Sequence, residues 1–418
     1  MKWRDSMAPA GVCAHETTTR HAGAIYPFLF ETGRRIPGVV IGVELSGGTF
    51  SFDPFTLYAS GVLSNPNMVV FGQIGRGKSS FVKTMIYRQL TFGRGAYVID
   101  PKGEYSALGH ACGVTPLALR PGGPLRLNPL DLVGDDIHEG AVRRLQLLES
   151  LVSSSLGRDL FSRERSALEL ALHDVQQSTA TATLPLVSNA LLQPSAESAR
   201  SIYSSQEQLC DDGREVGLEL RRLVTGDLKG LFDAETSSSL DLDQRLVILD
   251  LSALYGSEAL GLFMVCATAW VQQLLQRQRH AGRQSLLVVD EAWAILNDVA
   301  VARWLQSSWK LARAWGVSNI AVLHRVSDLK GVGSDGSEQQ GLAQGLLLDS
   351  ETRVIYAQPT GEVDAARDLL HLNETERSLL VKLPRGVALW KVGNNSSIVR
   401  HLVGQRERQI VDTDGAMG

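Results

Sequence analysis

The sequence predicts an α/β chain, with a mainly parallel sheet flanked by helices and interrupted by an all-helical insertion. Two observations carry this. Short apolar runs alternate with helical stretches, as in Met68 to Phe71, then Lys78 to about Phe92, then Ala96 to Asp100, which is the βαβ order of a sheet buried on both faces. The rhythm stops between about His138 and Phe232, where stretches such as Ala141 to Leu156 and Arg163 to Gln177 are periodic and free of strand signals.

Residues 1–24 lack an apolar signal core and read as a loose tail. Residues 25–66 carry Pro27, Pro37, Pro54 and Pro66 beside short runs such as Val39-Val40-Ile41, a small strand-rich entry segment. The core spans 67–137 and 233–402, the helical insertion 138–232, and a C-terminal tail 403–418. In the second half of the core, strands are expected at Leu246 to Leu251, Leu286 to Asp290, Ile320 to His324, Arg353 to Tyr356 and Val387 to Val392. Helices run from Glu258 to about Arg279 and from Val299 to Ala314. The most apolar stretch, Leu260 to Leu275, falls short of the roughly 20 residues a membrane span needs. It reads as a buried helix, so any membrane association runs through a partner.

The 418 residues are 44% hydrophobic and 21% charged, ordinary for a globular chain. A formal charge of -4 offers no overall attraction to nucleic-acid phosphates, although a ring can confine positive charge to its channel. Cys13, Cys112, Cys210 and Cys266 form no C-x-x-C pair, which fits neither a disulfide framework nor a zinc site and points to a reducing cytosol.

The chemistry begins at Gly72-Gln73-Ile74-Gly75-Arg76-Gly77-Lys78-Ser79, which matches G-x-x-x-x-G-K-[ST] directly after a strand and before a helix. Glycines let successive backbone N–H groups turn toward a phosphate, and the helix adds the positive end of its dipole. Lys78 would reach the β- and γ-phosphates, and Ser79 would complete a Mg²⁺ shell, with Ser80 beside it. The plain alternative is a glycine turn that happens to precede Lys-Ser. At Leu286 to Glu291, a buried strand ends in two carboxylates. Asp290 is placed to hold Mg²⁺ and Glu291 to orient and deprotonate water, although adjacent acids also serve as ordinary helix caps. His324 ends the next apolar strand, where motor ATPases place a polar γ-phosphate sensor; a lone His there is also commonly structural.

Taken together, Asn65-Pro66-Asn67, Ile99-Asp100-Pro101-Lys102-Gly103-Glu104-Tyr105, Leu127-Asn128-Pro129-Leu130-Asp131, Asp290-Glu291-Ala292-Trp293 and Leu383-Pro384-Arg385-Gly386-Val387-Ala388-Leu389 resemble the conjugative and type IV secretion ATPases of the VirB-four/TraC class. The likeness spans roughly residues 25 to 402. It implies a RecA-like P-loop core of the FtsK/HerA branch, ATP with Mg²⁺ as ligands, and a homo-hexamer at the cytoplasmic face of a membrane-embedded secretion channel that passes DNA or protein. Only some sixty residues precede the core where the family usually carries a channel-binding domain, so a stand-alone motor with its docking domain on another polypeptide is expected. His324-Arg325 replaces the family's Thr-Gln pair, a departure that bears on sensor chemistry and hydrolysis rate. Pro101 and Gly103 also build a tight turn, and Asp100 or Glu104 can cap the next helix; contact with nucleotide or a neighbouring subunit is the other reading of that segment. Asn128 has a plain reading as a turn residue.

Arginine-finger candidates are Arg353, Arg377, Arg385 and Arg400, with Arg353 first because it opens a strand. The leading function is an ATPase motor of a conjugative or type IV secretion apparatus. The alternatives are a DNA-pumping translocase and an ATP-binding assembly module with little hydrolysis. No base-recognition motif stands out; ATP is preferred over GTP from the acid placement and the resemblance.

Overall fold

Strand formation follows the apolar runs closely. The computed structural model describes residues 38–45, 47–131, 137–237, 244–255, 260–280, 282–293, 299–325 and 338–411. The expected N-terminal tail and residues 25–37 of the entry segment lie outside them. Eleven strands occur among the described residues: β1 (Val39–Glu44), β2 (Thr49–Phe52), β3 (Met68–Phe71), β4 (Gly95–Asp100), β5 (Leu117–Ala118), β6 (Leu246–Asp250), β7 (Ser285–Val289), β8 (Val317–Leu323), β9 (Thr352–Tyr356), β10 (Val387–Val392) and β11 (Asn395–His401). They form one sheet in the order β2-β1-β11-β10-β9-β3-β8-β7-β4-β6-β5. From β9 to β5 every neighbour is parallel, whereas β10, β11, β1 and β2 add an antiparallel annex. The mainly parallel sheet flanked by helices is the architecture the sequence predicts.

Helices follow as α1 (Pro54–Ala59), α2 (Lys78–Thr91), α3 (Ser106–Ala111), α4 (Ile137–Leu156), α5 (Ser162–Ser178), α6 (Leu184–Leu192), α7 (Ala196–Ser201), α8 (Gln206–Thr225), α9 (Leu260–His280), α10 (Val299–Trp315), α11 (Glu338–Leu348), α12 (Val363–Leu370), α13 (Glu374–Leu380) and α14 (Arg408–Val411). Side chains alternate faces along a strand, so each strand feeds two cores. Met68, Val70, Val98, Ile248 and Val288 pack with Phe81, Met85 and Ile86 of α2. Val69, Phe71, Tyr97, Ile99, Leu249 and Val289 face the opposite core with α4 to α10. The apolar helix α9 is buried there through Phe263, Val265, Trp270 and Val271, and no helix among the described residues is long and apolar enough to cross a membrane.

Polar residues place several elements that apolarity does not reveal. β8 begins three residues before the expected Ile320 because Ser318 and Asn319 are buried through bonds: Ser318 Oγ donates to the Pro66 carbonyl at 2.6 Å and Asn319 N donates to Asn67 Oδ1 at 3.2 Å. Strand β11 is polar and partly exposed, and it pairs back on β10 across the Gly393-Asn394 turn with Leu389 opposite Ile398. Asn128 is fully buried and does more than turn the chain. Its Nδ2 donates to Asp131 at 2.6 Å and to the Ala182 carbonyl at 2.8 Å, tying the segment after β5 to the helical layer.

Residues 404–411, expected within the C-terminal tail, pack on α2. Glu407 takes a two-pronged bond from Arg88 at 2.6 Å per contact, and Ile410 is buried beside it. Higher on the same helix, Phe81 meets the Trp390 ring edge-on at 5.1 Å and Thr84 bonds His401 at 2.7 Å. Trp390 also touches the rings of Phe50 and Phe52 on β2.

Candidate active site at the strand ends

The sheet order β9-β3-β8-β7-β4 lines up the C-terminal ends of parallel strands, the place where open α/β sheets bind ligands. After β3 comes the glycine loop, after β8 His324, after β7 Asp290 and Glu291, and after β4 the turn carrying Lys102. β8 lies between the loop strand and the carboxylate strand, so His324 separates Lys78 from Glu291.

The loop closes on itself before α2 starts. Gly75 and Gly77 have φ of 76° and 114°, a region open to glycine at little cost, and no atom lies within 4 Å of where a Gly75 side chain would begin. Gly77 is the N-cap of α2, so the first-turn N–H groups and the helix dipole face the cradle, with Ser79 and Ser80 half-buried on that turn. Gln73 N reaches the Ala357 carbonyl, Ile74 is exposed, and the Arg76 carbonyl accepts from Gly386 N at 2.9 Å, so the start of β10 braces the loop. A cavity of ≈ 500 Å³ opens here, lined by Gln73, Ile74, Gly75, Arg76, His324, Arg325 and Arg385, a size and a cationic lining that suit a nucleoside triphosphate.

Lys78 is buried, donating to the carbonyls of Gly72 and Gln73, with His324 Nδ1 at 3.3 Å. Burial pushes its ammonium down to about 8, against the pull of Asp290 and Glu291. On the other side of the ring, His324 Nε2 lies 2.7 and 2.9 Å from the two Glu291 oxygens. A carboxylate can only accept, so Nε2 carries the proton to Glu291 and Nδ1 accepts from Lys78; Lys102 Nζ, 3.4 Å from the same Nε2, is then a neighbour of that nitrogen and not its donor. The Glu291 carboxylate also takes Lys102 Nζ and the Trp293 indole N–H. Burial pushes its pKa up, but the bonds from His324, Lys102 and Trp293 outweigh burial and bring it down to about 2. Glu291 adopts φ 51°, a left-handed conformation that costs a non-glycine residue about 1 kcal/mol and is held by these contacts. Asp290 is buried with no ion pair among the described residues, and burial followed by repulsion from Glu291, Glu104 and Asp100 pushes it up to about 7.

These residues fit Mg²⁺ and a triphosphate as a shared site. Among the described residues no cluster of His, Cys, Asp and Glu forms a self-contained metal cage. A cation at Ser79 and Asp290 would draw its remaining oxygens from phosphate and water, the usual habit of Mg²⁺.

Residues 58–261 match the family model of the HerA helicase central domain. VirB4 of Thermoanaerobacter pseudethanolicus superposes with a TM-score of 0.73 at 22% identity, over 90% of this chain and 99% of that one. The plasmid coupling protein TrwB in complex with ADP and Mg²⁺ gives 0.58 at 14% identity, and its complex with a non-hydrolysable ATP analogue gives 0.57 at 15%; each covers 92% of both chains. The fold is that of VirB4 and TrwB. No curated protein matches the sequence.

Within this VirB4-like fold, Arg353 is set apart from the other expected residues. It pairs opposite Val69, two residues before the end of β3, and its guanidinium turns to the Leu370 and Leu347 carbonyls at 3.4 Å. In this chain it therefore does not join the phosphate cavity; a strand start lies at the end of the sheet opposite the loop. Arg377 is paired with Asp364 and Glu374, and Arg400 is exposed on β11. Arg385 does reach the cavity, because its neighbour Gly386 is bonded to the loop. Sequence reasoning missed Lys102 and Trp293 as partners of Glu291. Both lie inside quoted motifs, and the signal for Lys102 was its position two residues past the end of β4.

Proposed function

We propose that this chain is an ATP-hydrolysing motor that energises a conjugative or type IV secretion apparatus. The observation carrying this reading is the row Lys78, His324, Glu291 across three adjacent strand ends, in a fold shared with VirB4 and TrwB. In this reading the backbone from Gly72 to Gly77 and the first turn of α2 cradle the phosphates, and Lys78 neutralises the β- and γ-oxygens. Ser79 and Asp290 hold Mg²⁺, which when bound offsets charge building up on the phosphate oxygens. Glu291 orients the attacking water and takes its proton, and His324 links that carboxylate to the lysine that senses phosphate. The motor works as a homo-hexamer, cytoplasmic and peripheral to the inner face of the membrane through channel partners, passing DNA or protein.

The test is steady-state ATP hydrolysis by the wild type and Glu291→Gln, with and without DNA, alongside native mass with nucleotide. Binding retained, turnover lost and hexamers formed would support the motor. Turnover in Glu291→Gln equal to wild type would remove the role given to Glu291. The HerA-type match keeps a second reading, a DNA-pumping translocase, whose mark is hydrolysis stimulated by DNA and suppressed by salt.

A further inference from the structure

Tyr105 is fully buried just ahead of α3, in the core that holds Leu108, Ile248 and Val288. A phenylalanine would fill that core as well. The tyrosine instead carries into it a hydroxyl that closes no hydrogen bond of normal length and angle among the described residues. A buried hydroxyl left unpaired is destabilising, so a polar neighbour has to account for it.

That neighbour is Asp290. Asp290 N donates to the Ile99 carbonyl at 3.1 Å, and the residue after Ile99, Asp100, accepts from Tyr105 N at 2.9 Å. Side chains alternate along a strand, so Asp290 follows Val288 onto the face where Tyr105 packs. Burial, and after it the Asp290 carboxylate, hold the phenol proton on well above the usual range. The Asp290 carboxylate itself takes the N–H of the next residue, Glu291, at 2.9 Å, which leaves acceptor positions for a second donor.

The ring is held from α2 as well. Lys83 Nζ, buried on that helix, lies 5.4 Å from the ring centre, within the range of a cation–π contact. Lys83 stands one helical turn after Ser79 on the same face of α2. Tyr105 is thereby set on the core side of Ser79 and Asp290, the pair that would hold Mg²⁺. The turn after β4 then serves both adjacent acids, with Lys102 donating to Glu291 and Tyr105 standing at Asp290.

We propose that Tyr105 is a positioning residue for the metal: its hydroxyl donates to the Asp290 carboxylate and keeps the remaining lone pairs turned toward Ser79. The inference rests on the metal role given to Asp290 above and adds the group that orients it. Tyr105→Phe keeps the ring and removes the hydroxyl alone. A fluorescent ATP analogue is titrated into wild type, Tyr105→Phe and Asp290→Asn, each in Mg²⁺ and in EDTA. In Tyr105→Phe the Kd in Mg²⁺ should rise about tenfold while the Kd in EDTA changes less than about twofold, the cost of losing a partner behind a metal ligand. A ring that merely packs predicts no such split. The Mg²⁺ concentration for half-maximal turnover should rise by a similar factor. A Kd in Mg²⁺ close to wild type, or an equal loss in EDTA, would overturn the proposal. A lost Mg²⁺ response in Asp290→Asn beside an intact one in Tyr105→Phe would remove Tyr105 alone, whereas a wild-type response in Asp290→Asn would sink the metal role of Asp290 together with the proposal.

Discussion

Raising the pH through the slightly alkaline range should loosen nucleotide binding, because Lys78 titrates there. Burial brings its ammonium down to about 8 from the usual 10.5, whereas a triphosphate against it favours the charged form. Binding above that point must first protonate the lysine. The charged fraction falls from about three-quarters at about pH 7.5 to about one-eleventh at about pH 9, so affinity should drop about eightfold over that interval. The nucleotide's own terminal phosphate has finished titrating by then. Folding answers with the opposite sign: burying the charged lysine costs roughly 3 kcal/mol below about pH 8, and this cost fades as pH rises toward 10.5. Titration of a fluorescent ATP analogue across the range reads the first effect, with Lys78→Arg as control, since a guanidinium stays charged throughout. A flat wild-type profile, or a break only above about pH 10, would refute the desolvated-lysine argument.

Asp290→Asn should abolish Mg²⁺-dependent nucleotide binding yet raise the melting temperature at about pH 8. A carboxyl pushed up to about 7 destabilises the fold as it ionises, and this penalty is absent below the unfolded value and grows as pH rises. Asn67→Ala should cost roughly 3 kcal/mol in chemical denaturation, because the buried amide donates to the Trp309 and Asp349 carbonyls and accepts from both nitrogens of Asn319; a change under about 1 kcal/mol would count against that account. Gly72→Ala should impair both folding and nucleotide binding, since its new carbon would lie 2.5 Å from Tyr356 Cβ and 3.4 Å from Lys78 Cγ. Wild-type melting and affinity in that variant would show that β9 can give way.

The parallel core was legible because its strands are unbroken apolar runs and its loop is glycine-rich, both local signals. Pairing order was not, because nothing within Val317–Leu323 says that it inserts between β3 and β7. That single placement decides whether His324 stands beside the site or inside it. The polar strand β11 was hidden for another reason. Its stability comes from pairing with β10 and β1 rather than from an apolar face of its own. Likewise, Glu407 and Ile410 look like tail residues until Arg88, 319 positions earlier, is brought beside them. Long-range ion pairs leave no periodic trace.

Phe81, Thr84 and Arg88 recur at intervals of three and four along α2 and so trace one stripe down the helix that opens the phosphate site. Each is gripped differently, by an aromatic edge, by an imidazole and by a forked ion pair, and all three grips come from β10, β11 or the segment after them. Rolling the helix would break all three together. The antiparallel annex is thus fastened to the helix that opens the phosphate site, and its outer strand β2 joins that fastening through Phe50 and Phe52 against Trp390.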